Sequence, residues 1–311
     1  MVTKRITCPP RKFRIFTHYY RFLIAGLSGI MSGCSPIHII NNLTPTSTYK
    51  IDRGIRYQNQ PRGHLDVYVP VPGDGYPRPS KGYPVVIFIY GGAWDSGDRQ
   101  EYKFVGEALA ARGMVVVIPN YRLYPEVRYP AFLRDNARAV AWTYHHIAAH
   151  EGNPKDLFIM GHSAGAYNAA MLVLDPRWLH AVGLQPNIFS GWIGLAGPYN
   201  FYPITYKPVR PIFFYPNYPA MSMPIDFAND PDAPRTFLGA AAHDNLVNPK
   251  TNTNVLAKDL KKAGVPVELK IYRGVNHETL IGAFAKPLRW MAPVLDDVVA
   301  FIKVGHDLHQ K

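Results

Sequence analysis

The sequence predicts an α/β fold, one domain built on a mostly parallel central sheet with helices on both faces. Three observations carry that prediction. Apolar runs of strand length at residues 84–89 and 157–160, and an alternating run at 267–272, are separated by segments of helical periodicity. The second run turns directly into a helix of small residues at a Gly-x-Ser-x-Gly pentapeptide, which suits a parallel strand handing over to a closely packed helix. A chain of 311 residues with 47% hydrophobic content can also bury one large core, and it shows no repeat, phosphate loop or coiled-coil run.

The N-terminus reads separately. Residues 1–21 hold Lys4, Arg5, Arg11, Lys12, Arg14 and Arg21 with no acid, and residues 22–31 form an apolar run. That run is too short to span a bilayer but suits the core of an export signal. It ends in Met31-Ser32-Gly33-Cys34-Ser35, which resembles a bacterial lipoprotein cleavage box. The resemblance implies a signal peptide over residues 1–33, lipidation of Cys34, and, from Ser35, an outer-membrane anchor facing the periplasm or cell surface. Cys8 would leave with the leader, so no intramolecular disulfide is expected. Residues 34–50, polar from Asn41 to Lys50, then read as a tether to a folded domain at 51–311. The net charge of +12 falls to +6 once the six basic leader residues are removed. No basic helix or basic–aromatic stripe accompanies that excess, so nucleic acid is not an expected partner.

The chemistry is concentrated at strand ends. The strand at 84–89 runs into Tyr90-Gly91-Gly92-Ala93-Trp94, where consecutive glycines let backbone N–H groups turn toward a developing oxyanion. The strand at 157–160 leads into Gly161-His162-Ser163-Ala164-Gly165, which projects the Ser163 hydroxyl beside the amides of a helix start. A serine hydroxyl is a weak nucleophile and needs a base, itself oriented by an acid. Asp244 follows a strand-like run from Thr236, and His277 follows the alternating run at 267–272, which sets the chain order Ser, Asp, His. A helix between them is expected over residues 253–264, with Gly264 as its stop. The expected set is Ser163, His277 and Asp244, with Gly92, Ala93 and Ala164 as oxyanion donors. His243, beside Asp244, is the competing candidate in that loop, and His162 is expected to pack beside the site with its side chain turned from Ser163.

Together these motifs resemble the α/β-hydrolase esterases related to hormone-sensitive lipase and to bacterial carboxylesterase and formamidase-like proteins. In that group the loop usually reads His-Gly-Gly-x-Trp and the elbow Gly-x-Ser-Ala-Gly. The likeness extends through His64-Leu65-Asp66-Val67-Tyr68, Gly97-Asp98, Asn120-Tyr121-Arg122-Leu123, a helix over residues 130–142 containing Asp135, and Gly194-Leu195-Ala196-Gly197-Pro198-Tyr199, covering about residues 57–304. Tyr90 departs from the pattern, standing where the family has the His that braces the oxyanion loop.

The resemblance implies a serine carboxylic-ester hydrolase working through an acyl-enzyme on a small-molecule ester, with no cofactor and no metal. An amide or formamide hydrolase, or a polysaccharide-ester deacylase, would use the same machinery. A catalytically silent binding protein on this scaffold is the reading from another class, and Tyr90 is the one residue in its favour. Residues 199–234, crowded with prolines and aromatics, are expected to form an irregular excursion overhanging the site. His146 and His150 have the spacing of two metal ligands on one helix face but lack a third, so a solvated face is expected.

Overall fold

The structure, a computed structural model, describes residues 36–72 and 77–310. The chain divides into residues 1–39 and a body of residues 40–311, which holds the whole sheet. The leader, the cleavage box and Cys34 lie outside the described residues.

Eight strands form one sheet: β1 (Tyr49–Arg56), β2 (His64–Pro70), β3 (Tyr83–Ile89), β4 (Val115–Pro119), β5 (Gly152–His162), β6 (Phe189–Leu195), β7 (Thr236–Ala241) and β8 (Val267–Tyr272). Their spatial order is β1-β2-β4-β3-β5-β6-β7-β8. The β1–β2 and β2–β4 pairs are antiparallel, and every pair from β4 to β8 is parallel. Parallel strands need crossovers, and helices supply them. The helices among the described residues are α1 (Pro36–Asn42), α2 (Lys103–Ala110), α3 (Ala131–His146), α4 (Ala164–Leu174), α5 (Arg177–His180), α6 (Thr253–Lys262), α7 (His277–Gly282) and α8 (Val294–Gln310).

The centre of the sheet is apolar on both sides. Every residue of β3, β4, β6 and β7 is buried, which requires cover on both faces. β3 and β5 run in register, with Val86 beside Phe158, Ile87 beside Ile159 and Phe88 beside Met160. Each such side chain contributes about 1.5–3 kcal/mol through burial. Ion pairs from Arg112 to Asp296 and from Glu107 to Arg289 tie α2 and its C-terminal turn to α8 and the turn before it. The edge strand β8 is only partly buried and carries Lys270, as an edge open to water should. Gly264, at φ +94, lets the chain leave α6 and enter β8.

One expectation is corrected here. Residues 41–50 are docked on the body, which therefore starts near residue 40 and not at 51. The Asn41 amide donates to the carbonyls of Gln100 and Glu101, and Thr44 and Tyr49 are buried. Lys50 already belongs to β1. The polar appearance of this stretch comes from the water-exposed end of α1 and the turn residues that lead from it into β1.

Between β6 and β7 the chain leaves the sheet. This excursion is held by two 3-10 turns, Lys207–Phe213 and Pro224–Phe227, and by a ring cluster in which Phe213 packs edge-on against Trp94, Tyr167 and Phe201. Its prolines exclude longer helices, and its aromatics supply the burial that orders it.

Candidate active site

Five chain segments converge at the C-terminal ends of the parallel strands. The sharpest turn is at Ser163, between β5 and α4, with φ 55 and ψ −124. A non-glycine residue held there is strained, and the glycines around it make the turn possible. A Cβ on Gly161 would stand 2.2 Å from the Gly165 carbonyl oxygen, and one on Gly165 would stand 2.0 Å from that of Ile89. The helix therefore lies against the end of β3, and the Ser163 N–H is anchored to the Leu195 carbonyl of β6 at 2.9 Å.

The Ser163 hydroxyl is 2.8 Å from His277 Nε2, and His277 Nδ1 is 2.7 Å from Asp244 Oδ2. An ionised carboxylate only accepts, so Nδ1 carries the proton toward Asp244 and Nε2 accepts from the serine. The loop after β7 fixes Asp244: its Oδ1 accepts from the amides of Leu246 at 2.9 Å and Val247 at 2.8 Å. Burial opposes ionisation of Asp244, but the hydrogen bond and charge of His277, with the two amides, hold its carboxyl below the ordinary value. His277 opens α7, whose start is capped by Asn276 accepting from the Thr279 N–H at 2.8 Å. The cap sets the direction in which the imidazole leaves the loop.

His162 lies beside this arrangement. Its ring is 4.9 Å from that of His277, and its Nε2 donates to the His277 carbonyl at 2.9 Å. Burial, and next the neighbouring His277, push its pKa down to about 3, so it stays neutral. With Nε2 committed to a carbonyl, His162 positions the loop of His277 and does not compete for the serine proton. His243 is exposed to solvent, whereas Asp244 is buried.

The loop after β3 crosses Ser163. A Cβ on Gly91 would come 2.9 Å from the Ser163 Cβ. Gly92, Ala93 and Trp94 follow with φ 117, 47 and 60, a run of left-handed backbone that turns successive amides to one side. The Gly92 carbonyl closes the turn by accepting from the Asp95 and Ser96 amides, each at 3.0 Å. Trp94 is pinned from below, its Nε1 donating to Asn168 Oδ1 at 2.9 Å. Gly92, Ala93 and Ala164 border the same cavity as Ser163 and His277. Ala164 is in the first turn of α4, where no preceding helix carbonyl can take its N–H.

Tyr90 has a structural part of its own. It is fully buried, stacked on Tyr121 at 4.8 Å and Tyr102 at 5.4 Å, and its carbonyl accepts from the Tyr121 hydroxyl at 2.9 Å. Its own hydroxyl donates to Asn120 Oδ1 at 2.9 Å and accepts from Arg62 Nη2 at 2.9 Å. Arg62 also donates to the Gly97 carbonyl at 2.6 Å, and the Asn120 amide donates to Asp98 at 2.7 Å. The ring thus ties the root of the loop, at 90, to its return, at 97–98. Sequence reading misses Arg62, Asn120 and Asp98 as a brace. The signal available is the departure of Tyr90 from the His of the family pattern.

A cavity of about 380 Å³ opens on Ser163. Trp94, Tyr102, Phe201, Ile204, Val209 and Val247 supply much of its apolar wall, so the 199–234 excursion borders the same cavity as Ser163. His146 bonds its own helix at the Trp142 carbonyl, and His150 bonds Asp52. Among the described residues no cluster of metal-ligand type occurs, and no helix is long and apolar enough to cross a membrane.

Residues 135–303 match the prolyl oligopeptidase family. The chain belongs to that family. Residues 65–178 match a second family, BD-FAE. The prolyl oligopeptidase-family chain is also 31% identical to isoprenylcysteine alpha-carbonyl methylesterase of Arabidopsis thaliana over 157 residues, 49% of this chain and 35% of that protein. A protein of Oryza sativa subsp. japonica named probable isoprenylcysteine alpha-carbonyl methylesterase is 27% identical over 275 residues, 81% of this chain and 63% of the other. The chain thus spans between about a third and two thirds of these relatives. Among solved structures, esterase B of Lactobacillus rhamnosis superposes with a TM-score of 0.73 at 16% identity, covering 95% of this chain and 98% of that one. A carbohydrate esterase from gut microbiota superposes with a TM-score of 0.69 at 18% identity, covering 84% and 98%. These likenesses show the α/β-hydrolase fold.

Proposed function

We propose that the protein is a serine carboxylic-ester hydrolase in which Ser163 is the nucleophile, His277 the general base and acid, and Asp244 the orienting carboxylate. One observation carries the reading: an unbroken hydrogen-bonded chain from Asp244 through His277 to Ser163, ending in an open cavity with a mixed apolar and polar wall. Ester rather than amide is favoured by the relatives on both sides of the comparison, which are named methylesterase and esterase.

The steps follow from the geometry. Ser163 Oγ attacks the ester carbonyl carbon as its proton passes to His277 Nε2, and Asp244 stabilises the imidazolium. The carbonyl oxygen becomes an oxyanion facing the amides of Gly92, Ala93 and Ala164, each such donor being worth about a hundred- to a thousand-fold in rate. The carbon–oxygen bond to the alcohol breaks, and the alcohol leaves with the proton from Nε2. Water then attacks the acyl-serine, gives its proton to His277, and the acid leaves as Ser163 is restored.

Hydrolysis of 4-nitrophenyl butyrate by the wild type and by Ser163→Ala tests the reading, with a loss of about four to six decades in kcat expected. A Ser163→Ala protein as active as the wild type overturns it. Lipidation of Cys34 and residence at the outer membrane belong to the same proposal, resting on the cleavage box at 31–35. Fatty-acid labelling that survives Cys34→Ala rejects that part alone.

A further inference from the structure

Building on the esterase reading, we infer that the cavity selects esters by charge, taking cationic and neutral esters and turning away anionic ones, with Asp95 and Glu278 as the residues that set the choice. Among the described residues, the two carboxylates are the only acidic side chains bordering the cavity, and the imidazoles of His162 and His277 are the only basic ones. No described Lys or Arg borders it, although the chain has 34 Lys and Arg against 22 acids. The cavity thus departs in sign from the molecule around it.

Both carboxylates are exposed, and neither has an ion-pair partner among the described residues, so their charge is spent on nothing else. The excursion does carry two cations, Lys207 and Arg210, but neither borders the cavity. Arg210 lies over the Tyr215 ring at 4.5 Å and donates to the Ile204 carbonyl at 2.8 Å.

The positions of the acids follow from the catalytic frame. Asp95 comes two residues after Ala93, and its N–H is fixed to the Gly92 carbonyl at 3.0 Å. Glu278 comes directly after His277 in the first turn of α7. One acid is therefore tied to the oxyanion loop and the other to the base, and a substrate held between those elements lies within reach of both. The aromatic lining adds a second attraction of the same sign. Trp94, Tyr102, Phe201 and Tyr206 line the cavity, and aromatic ring faces attract cations.

Two unit charges roughly 8 Å apart in a water-like medium change a binding constant about two- to three-fold, and more where the cavity wall displaces water. Two carboxylates acting with opposite sign on a cation and an anion multiply to a cation-over-anion preference on the order of 50-fold at low salt.

The test uses three butyrate esters of similar shape: butyrylcholine, uncharged 3,3-dimethylbutyl butyrate and anionic 2-sulfoethyl butyrate. Their kcat/KM values are followed by pH-stat on the full chain, each divided by the ester's alkaline hydrolysis rate. The expected order is cation, neutral, anion, with the outer ratio falling at least five-fold in 1 M salt and in the Asp95→Asn, Glu278→Gln double variant. The salt series needs no variant, and each single substitution is expected to give an intermediate ratio. Equal handling of the three esters by the wild type at low salt, or a double variant that keeps the wild-type ratio, overturns the inference. In either case Ser163-dependent turnover of the neutral ester leaves the esterase reading standing. No Ser163-dependent turnover of any of the three overturns both.

Discussion

His162 offers a test of the site's electrostatics that needs no substrate. The folded protein holds its imidazole near a pKa of about 3 against an ordinary 6.5. Between those values the unfolded chain binds a proton that the folded chain refuses. Stability therefore falls as the pH drops below 6.5, at about 1.36 kcal/mol per pH unit. At about pH 4.5, two units into the window, the loss reaches about 2.7 kcal/mol, or roughly 5–10 °C in Tm for a body of this size. His162→Gln removes the titration while keeping a side-chain N–H that can address the His277 carbonyl. Urea midpoints at neutral pH and in acid, taken for both proteins, read out the difference. The variant should lose less stability on acidification than the wild type by about that 2.7 kcal/mol. Equal losses in the two proteins refute the reasoning, because they mean that His162 is as easily protonated in the fold as out of it.

Three further outcomes follow from the same geometry. Gly165→Ala places a methyl group 2.0 Å from the Ile89 carbonyl oxygen, which cannot yield without moving β3, so a cost above about 3 kcal/mol is expected in denaturant midpoint or soluble yield. Tyr90→Phe strips a buried hydroxyl from Asn120 and Arg62; it should cost about 1–3 kcal/mol and lower kcat more than it changes KM, whereas a cavity-shape effect would move KM. Asp244→Asn should lower kcat by about four decades through loss of the favoured His277 tautomer. Since the folded Asp244 carboxyl is held below its ordinary value, its stabilisation is present above that value and lost as the pH falls through the lowered one. The stability gap to Asp244→Asn should therefore narrow in acid, and a gap that widens contradicts the assignment.

Motifs confined to one strand end are the most legible part of the sequence. Ser163 needs a strand, two glycines and a helix in immediate succession, and those local demands show in the residues. Asp244 and His277 are legible because each follows its own strand, β7 and β8, in the required order. The excursion at 199–234 is visible because proline and aromatic crowding allows little else. What escapes is made of distant pieces. The Tyr90 brace joins Arg62, Tyr90, Asp98 and Asn120, and no spacing along the chain announces a network of that kind. β1 escapes for a different reason. Its residues Tyr49-Lys50-Ile51-Asp52 alternate weakly and are half polar, because an edge strand with one wet side has little need of apolar residues.

Covalent trapping tests the central assignment most directly. Ser163 as an activated nucleophile predicts one fluorophosphonate adduct per chain, found by peptide mass spectrometry on Ser163, absent from Ser163→Ala and formed far more slowly in His277→Ala. An adduct at another residue, or labelling undiminished in Ser163→Ala, contradicts it.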